Sequence, residues 1–370
     1  MKYRSNIASR WVARVLVTAA VASTISSARA TVLEQKWVAG QQLSYDLKLS
    51  DSTLTLQSDA AAPFFWAGVP WEVTLDGTGE VALDTRAVDE SGAGTVAVRL
   101  PRLQMNGSAM GMFKAVLDVQ NGLAKLSING QPANGRGTAA NALVEPATAL
   151  EISRYGRVQR LVPLRIAAPT GAGQTPQAKT PGGLTPELST LVPTALFQAL
   201  PQLWPGRDIK VGEKWTVQPK LPMPARANTA KDAAGKGTQS TQPQMITLGN
   251  VDMTLVAQET LDGRSTQRVA IQGTLSLDGA KVDALMPQTA GSREKKQDGS
   301  RRLITFKQSI SGDIWFDDVA GQMVKMEVRL NTQSAFVGEA KPKEAQLPPR
   351  PWKSYQNFDG TLAMQLRTVS

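Results

Sequence analysis

The sequence predicts a mainly β protein: two related antiparallel, curved, half-barrel-like sheet units with one short kinked helical segment. Two observations carry this. Apolar residues alternate with polar ones in runs from Val32 to the end, which puts every second side chain on one face of a strand. Asn-Gly and Asp-Gly pairs stand beside those runs and supply the positive φ that tight hairpins demand.

The first element to justify is not structural. Residues 1–14 carry Lys2, Arg4, Arg10 and Arg14 without an acid, Val15 to Ser26 is apolar, and Ala28-Arg29-Ala30 is an A-x-A site. This pattern predicts a secretory signal peptide over residues 1–30, cleaved after Ala30. The apolar run is about 12 residues, short of the roughly 20 that cross a bilayer, and no later run approaches that length. The expected product is therefore exported, periplasmic or extracellular, with no transmembrane segment after cleavage.

The strands follow in order. Leu43, Tyr45, Leu47 and Leu49 alternate with polar residues, and Val96, Val98 and Leu100 alternate with Ala97 and Arg99. Further on, Val269, Ile271, Leu275 and Leu277 share one parity, as do Ile304, Phe306 and Ile310; Val324, Met326, Val328 and Leu330; and Leu362, Met364 and Leu366. Polar residues on the opposite face imply antiparallel sheets buried on one side. Asp76-Gly77, Asn106-Gly107, Asn121-Gly122, Asn129-Gly130, Asp262-Gly263, Asp278-Gly279 and Asp359-Gly360 are read as turns, so the arrangement expected is a meander.

Between Thr185 and Trp204, apolar residues from Leu188 to Leu203 recur at spacings of three and four, with Thr185 as N-cap and Pro186 at the first position. Pro193 removes an amide donor inside the pattern and predicts a kink. Ahead of this helix, Ala167 to Gly183 is rich in Pro, Gly and Thr. The expected organisation is a β unit over 31–166, a linker over 167–186, and the helical segment with a second β unit over 187–370. Ala39-Gly40-Gln41-Gln42-Leu43 and Val211-Gly212-Glu213-Lys214-Trp215 both open strands, and Leu117 to Leu126 matches Phe316 to Met326 as strand, turn, strand. The order is the same in both halves, which reads as duplication of one unit.

These residues carry a resemblance. The signal peptide, the Val211-Gly212-Glu213-Lys214-Trp215 opener and the Phe316-Asp317-x-x-x-Gly321 hairpin resemble those of uncharacterised exported bacterial proteins with a duplicated β-sheet build. More distantly, a curved antiparallel sheet with a short helix is similar to the half-barrel carriers that ferry lipoproteins or lipids across the periplasm. The resemblance implies fold and transfers no functional residue.

Composition narrows the chemistry. The 370 residues include no His and no Cys, which removes Ser-His-Asp and Cys-His triads, Cys/His zinc sites, His-held haem and disulfides. No cofactor and no metal is expected. The balance of 41 basic and 31 acidic residues includes five basic residues in the signal; 36 against 31 remain, a modest excess that gives little reason to expect nucleic acid as a partner. Paired carboxylates remain as a route to acid/base chemistry, and Asp317-Asp318 is the obvious pair, but neighbours on a strand point to opposite faces and a turn there needs Asp. Ser292-Arg293-Glu294-Lys295 matches S-x-x-K without its companion motifs, and Gly92-Ala93-Gly94 precedes a strand where a dinucleotide loop would precede a helix. No catalytic residue is assigned.

Two clusters remain as binding candidates. Phe64, Phe65, Trp66 and Trp71 lie within nine residues with Pro63, Gly68 and Pro70; such aromatics either mark the mouth of a ligand cavity or a partner site, or fold back to close the end of the sheet. Arg293, Lys295, Lys296, Arg301 and Arg302 form a cationic patch that either meets anionic lipid headgroups and envelope polymers or is a solvated loop. The function expected is non-enzymatic binding of an apolar small molecule, lipid or lipoprotein-like ligand in the cell envelope. The alternative is a structural or interaction module with an envelope protein partner and no ligand cavity.

Overall fold

The computed structural model describes residues 30–62, 67–111, 113–120, 123–132, 148–163, 203–223, 244–279, 302–340 and 350–369. The segments expected as signal peptide, linker and kinked helix lie outside the described residues, apart from Ala30 and the end of the helical pattern at Leu203 and Trp204. Among the described residues the fold is antiparallel β throughout.

The first half contributes β1 (Thr31–Val32), β2 (Gln42–Ser58), β3 (Trp71–Val88), β4 (Gly94–Ala109), β5 (Phe113–Gln120), β6 (Leu123–Ile128), β7 (Gln131–Pro132), β8 (Thr148–Ile152) and β9 (Val158–Pro163). The second contributes β10 (Asp208–Ile209), β11 (Lys214–Val217), β12 (Lys220–Met223), β13 (Gln244–Thr247), β14 (Gly249–Leu261), β15 (Arg264–Asp278), β16 (Arg302–Asp317), β17 (Gln322–Ala340) and β18 (Arg350–Val369). One open sheet runs β11-β14-β15-β16-β17-β18-β2-β3-β4-β5-β6-β7, with β8 and β9 attached beside β4. It does not close into a barrel. The halves join where β18 pairs with β2, Ser354 opposite Ser58 and Leu362 opposite Leu49.

The alternation read from the sequence sets which face is inside. In β18 the buried set is Trp352, Ser354, Gln356, Phe358, Gly360, Leu362 and Met364, and each residue between them is more exposed. One apolar cluster joins inner-face side chains from β2 through β5 and from β14 through β18. Strands of 13 to 20 residues exceed the usual five or six, and β-bulges bend them. One such offset lies between Leu49 and Ser52 in β2, opposite an offset between Asp359 and Thr361 in β18, and it switches the inner parity of β2 from odd to even.

Of the seven Asn-Gly and Asp-Gly pairs read as turns, Asn121-Gly122 lies outside the described residues, Asp278 closes β15, and the other five divide into two groups. Asn129-Gly130 and Asp262-Gly263 are the expected tight turns; Asp262 and Gly263 have φ of 51° and 76°. Asp76-Gly77, Asn106-Gly107 and Asp359-Gly360 are not turns but lie inside long strands. The first two face each other, Asp76 opposite Asn106, whose Nδ2 donates to Asp76 Oδ1 at 3.0 Å. A glycine at an inner position also makes room for a ring: Gly338 lies opposite Trp352, and a Cβ there would overlap the indole.

The two strand openers repeat the same backbone bonds. Gly40 N–H donates to Thr85 O and Thr85 N–H to Gln41 O; Gly212 N–H donates to Leu255 O and Leu255 N–H to Glu213 O. A bulge follows at the same offset in each, between Thr85 and Ala87 and between Leu255 and Ala257. The same local geometry thus recurs at the two strand openers.

One end of the sheet is packed by docked chain. β1 pairs with β10, Lys36 N–H donates to Gly321 O at 3.0 Å, and Thr31 Oγ1 donates to Asp318 Oδ2 at 2.7 Å. Trp204 lies against Phe316 with ring centroids 4.0 Å apart, and Trp215 Nε1 donates to Leu203 O at 3.2 Å. Tyr45, fully buried, donates its hydroxyl to Met323 O at 3.1 Å. Asp317 serves the hairpin beside this end, accepting the Ala320 N–H at 2.8 Å, as the turn reading of Asp317-Asp318 expects.

Candidate functional site

The opposite end of the sheet is where the connections β2–β3, β15–β16 and β17–β18 leave their strands. Phe64, Phe65 and Trp66 fall in the first connection and Arg293, Lys295, Lys296 and Arg301 in the second; all seven lie outside the described residues. Arg302 opens β16 opposite Val337. Trp71 opens β3 opposite Leu56, half buried, with its ring edge-on to Phe113 at 5.9 Å.

The inner face at this end is aromatic. Phe306, Phe336, Trp352 and Phe358 stand on β16, β17 and β18 at inner positions, in the same region as Trp71. Between them runs a stripe of neutral polar residues. Gln308 on β16 is opposite Thr332 on β17; Ser334 is two residues further along β17 and opposite Gln356 on β18; Ser354 is two residues back along β18 and opposite Ser58 on β2. All six are buried. Each member therefore neighbours the next, at the roughly 5–7 Å set by cross-strand pairing and the two-residue repeat.

Hydrogen bonding along the stripe is incomplete. Gln308 Nε2 donates to Thr332 Oγ1 at 2.9 Å. Gln308 Oε1, Ser354 Oγ and Ser58 Oγ have no partner among the described residues, with side chains 1%, 2% and 7% exposed. A buried polar atom left unpaired costs about 1–3 kcal/mol, so three in one stripe are a departure from ordinary core packing. No Asp, Glu, Lys or Arg occupies an inner position over residues 304–316, 324–338, 352–364 or 52–58. The arrangement can donate and accept hydrogen bonds from uncharged groups. It offers no base to Ser58 or Ser354, and no group of three metal-ligating side chains occurs among the described residues.

Charge is kept to the outer face of the same strands. Arg329 Nε and a terminal nitrogen reach both Asp359 oxygens at 3.1 and 2.9 Å, and Arg268 pairs with Asp313 at 2.9 Å. The Arg329 guanidinium holds the Asp359 carboxyl below its usual range. Trp315 carries Lys325 over its ring at 4.8 Å and donates its indole N–H to Glu259.

Sequence reasoning singled out Trp71 as a binding candidate and missed the stripe. Its signal was present as an exception to parity: Gln308 sits between Phe306 and Ile310, Thr332 and Ser334 between Leu330 and Phe336, and Ser354 and Gln356 between Trp352 and Phe358. No helix among the described residues is long and apolar enough to cross a membrane. Compared with protein-family models and with curated proteins, the chain matches none.

Proposed function

We propose that this chain is an exported, non-enzymatic binder of an apolar ligand, a lipid or lipoprotein-like molecule, in the cell envelope. The observation that supports it is the asymmetry of the inner face. One end is filled by Leu33, Trp37, Leu203 and Trp204, while the other is lined by Phe306, Phe336, Trp352 and Phe358 and interrupted by polar atoms without partners. An apolar surface with a few convergent polar groups is the common make-up of small-molecule sites. The signal-peptide pattern of residues 1–30 supports the envelope as the place of action.

A second reading, an interaction module with a packed interior and an envelope protein partner, draws support from the middle of the sheet. Ile314, Met326 and Leu330 are completely buried there. The test is native mass spectrometry with lipid extraction on protein purified from the exported fraction without detergent. A reproducible bound mass is the expected result. A clean unliganded mass across preparations refutes the carrier reading and leaves the interaction module.

A further inference from the structure

From the polar stripe we infer the chemistry of the ligand's head: it is uncharged and bears hydroxyl groups. The inference rests on the carrier reading and adds to it the class of lipid. Ser58 and Ser354 lie directly opposite each other on β2 and β18, at the end of the inner face where β17–β18 and β2–β3 connect. Both hydroxyls are buried and without a partner, and each can give one hydrogen bond and receive others. Gln308 commits its amide donor to Thr332, so the atom left without a partner is its acceptor, Oε1. An acceptor needs a donor, which a hydroxyl supplies and an ester, carboxylate or phosphate oxygen does not.

Charge discriminates further. Placing a carboxylate or phosphate against a buried face without a cation is costly, and the inner positions of β16, β17, β18 and β2 around the stripe hold none. Phe306, Phe336 and Phe358 stand directly across from Ser334, Ser354 and Thr332, so every polar contact on the stripe has an apolar neighbour for the chain or ring of the same molecule. A plain hydrocarbon would leave the three polar atoms as unsatisfied as before. A hydroxylated, uncharged amphiphile satisfies them and covers the aromatics together.

The experiment offers the full exported protein an equimolar mixture of 1-monooleoylglycerol, oleate, dioleoylphosphatidylglycerol and hexadecane, and quantifies retained species by native mass spectrometry. The expected result is preferential retention of monooleoylglycerol. In the Ser58→Ala/Ser354→Ala double variant its retention falls at least ten-fold, the scale of two lost hydrogen bonds. The hexadecane signal and the melting temperature are unchanged or raised, because the hydroxyls removed had no partner to lose. Oleate or the phospholipid retained as well as monooleoylglycerol, or a double variant that retains it undiminished, overturns the inference while leaving the carrier reading in place. Retention of none of the four overturns both.

Discussion

Replacing Trp204 by Ala tests whether the docked segment closes one end of the sheet. Trp204 is almost fully buried, its ring centroid lies 4.0 Å from that of Phe316, and the preceding carbonyl of Leu203 holds the Trp215 indole N–H at 3.2 Å. An indole buries about 150–250 Å², which at about 25 cal/mol per Å² corresponds to roughly 4–6 kcal/mol of transfer free energy. Partial collapse of the site brings the expectation to about 3–5 kcal/mol, the usual cost of deleting a core aromatic. Urea denaturation followed by far-UV circular dichroism measures it, with Trp315→Ala as the comparison. Trp315 is half buried on the outer face, beneath Lys325 and beside Glu259, and its loss is expected to cost about 1 kcal/mol. A Trp204→Ala protein within 1 kcal/mol of wild type would show that residues 203–209 do not close the sheet, and the asymmetry of its two ends would go with them.

Three further perturbations have defined outcomes. Gly338→Val forces a side chain into the Trp352 indole and is expected to cost about 1–3 kcal/mol, with a changed near-UV spectrum, whereas Gly263→Ala, at an open turn position, leaves that spectrum unchanged. Burial raises the Tyr45 hydroxyl well above the ordinary value near 10; its proton therefore stabilises the fold below about pH 10, and that contribution is lost as pH rises beyond it. Tyr45→Phe should lose about 1 kcal/mol at neutral pH with the bond to Met323 O, yet show a shallower decline in melting temperature between pH 9 and 11. Asp359 is shifted in the other direction, so its pairing with Arg329 contributes above about pH 4 and is lost as pH falls below it. Because the pair is exposed, Arg329→Met should change the melting temperature little at pH 7, flatten its dependence on acid pH, and lose both effects in high salt.

The strand pattern was legible because it depends on one-sided burial, which period-two alternation reports directly. Each of the alternating runs, from Leu43 to Leu366, falls within a strand of the large sheet. Asp76-Gly77 and Asn106-Gly107 misled because the same residue pair serves two purposes. In a hairpin it supplies positive φ, as at Asp262-Gly263, and in a long strand it allows close backbone approach; only the partner strand distinguishes them. The junction of β18 with β2 was not legible at all, since nothing local to residues 350–369 specifies a partner 300 positions earlier. For the site, alternation drew attention to the apolar members of each run and away from Gln308, Thr332, Ser334, Ser354 and Gln356, whose significance lies in facing inward with their neighbours. Ser58 needed the bulge at Leu49–Ser52 as well, because only the shifted parity turns it to the inside.

That junction also dictates an order of assembly. A chain delivered N-terminus first exposes β2 with one edge satisfied by β3 and the other empty until β18 follows, almost at the end of the sequence. Unfilled edges are templates for the wrong partner, and pairings of such long sequence separation form slowly. Residues 350–369 thus act as the closing stitch: their late arrival decides whether two half-sheets join each other or a neighbouring molecule.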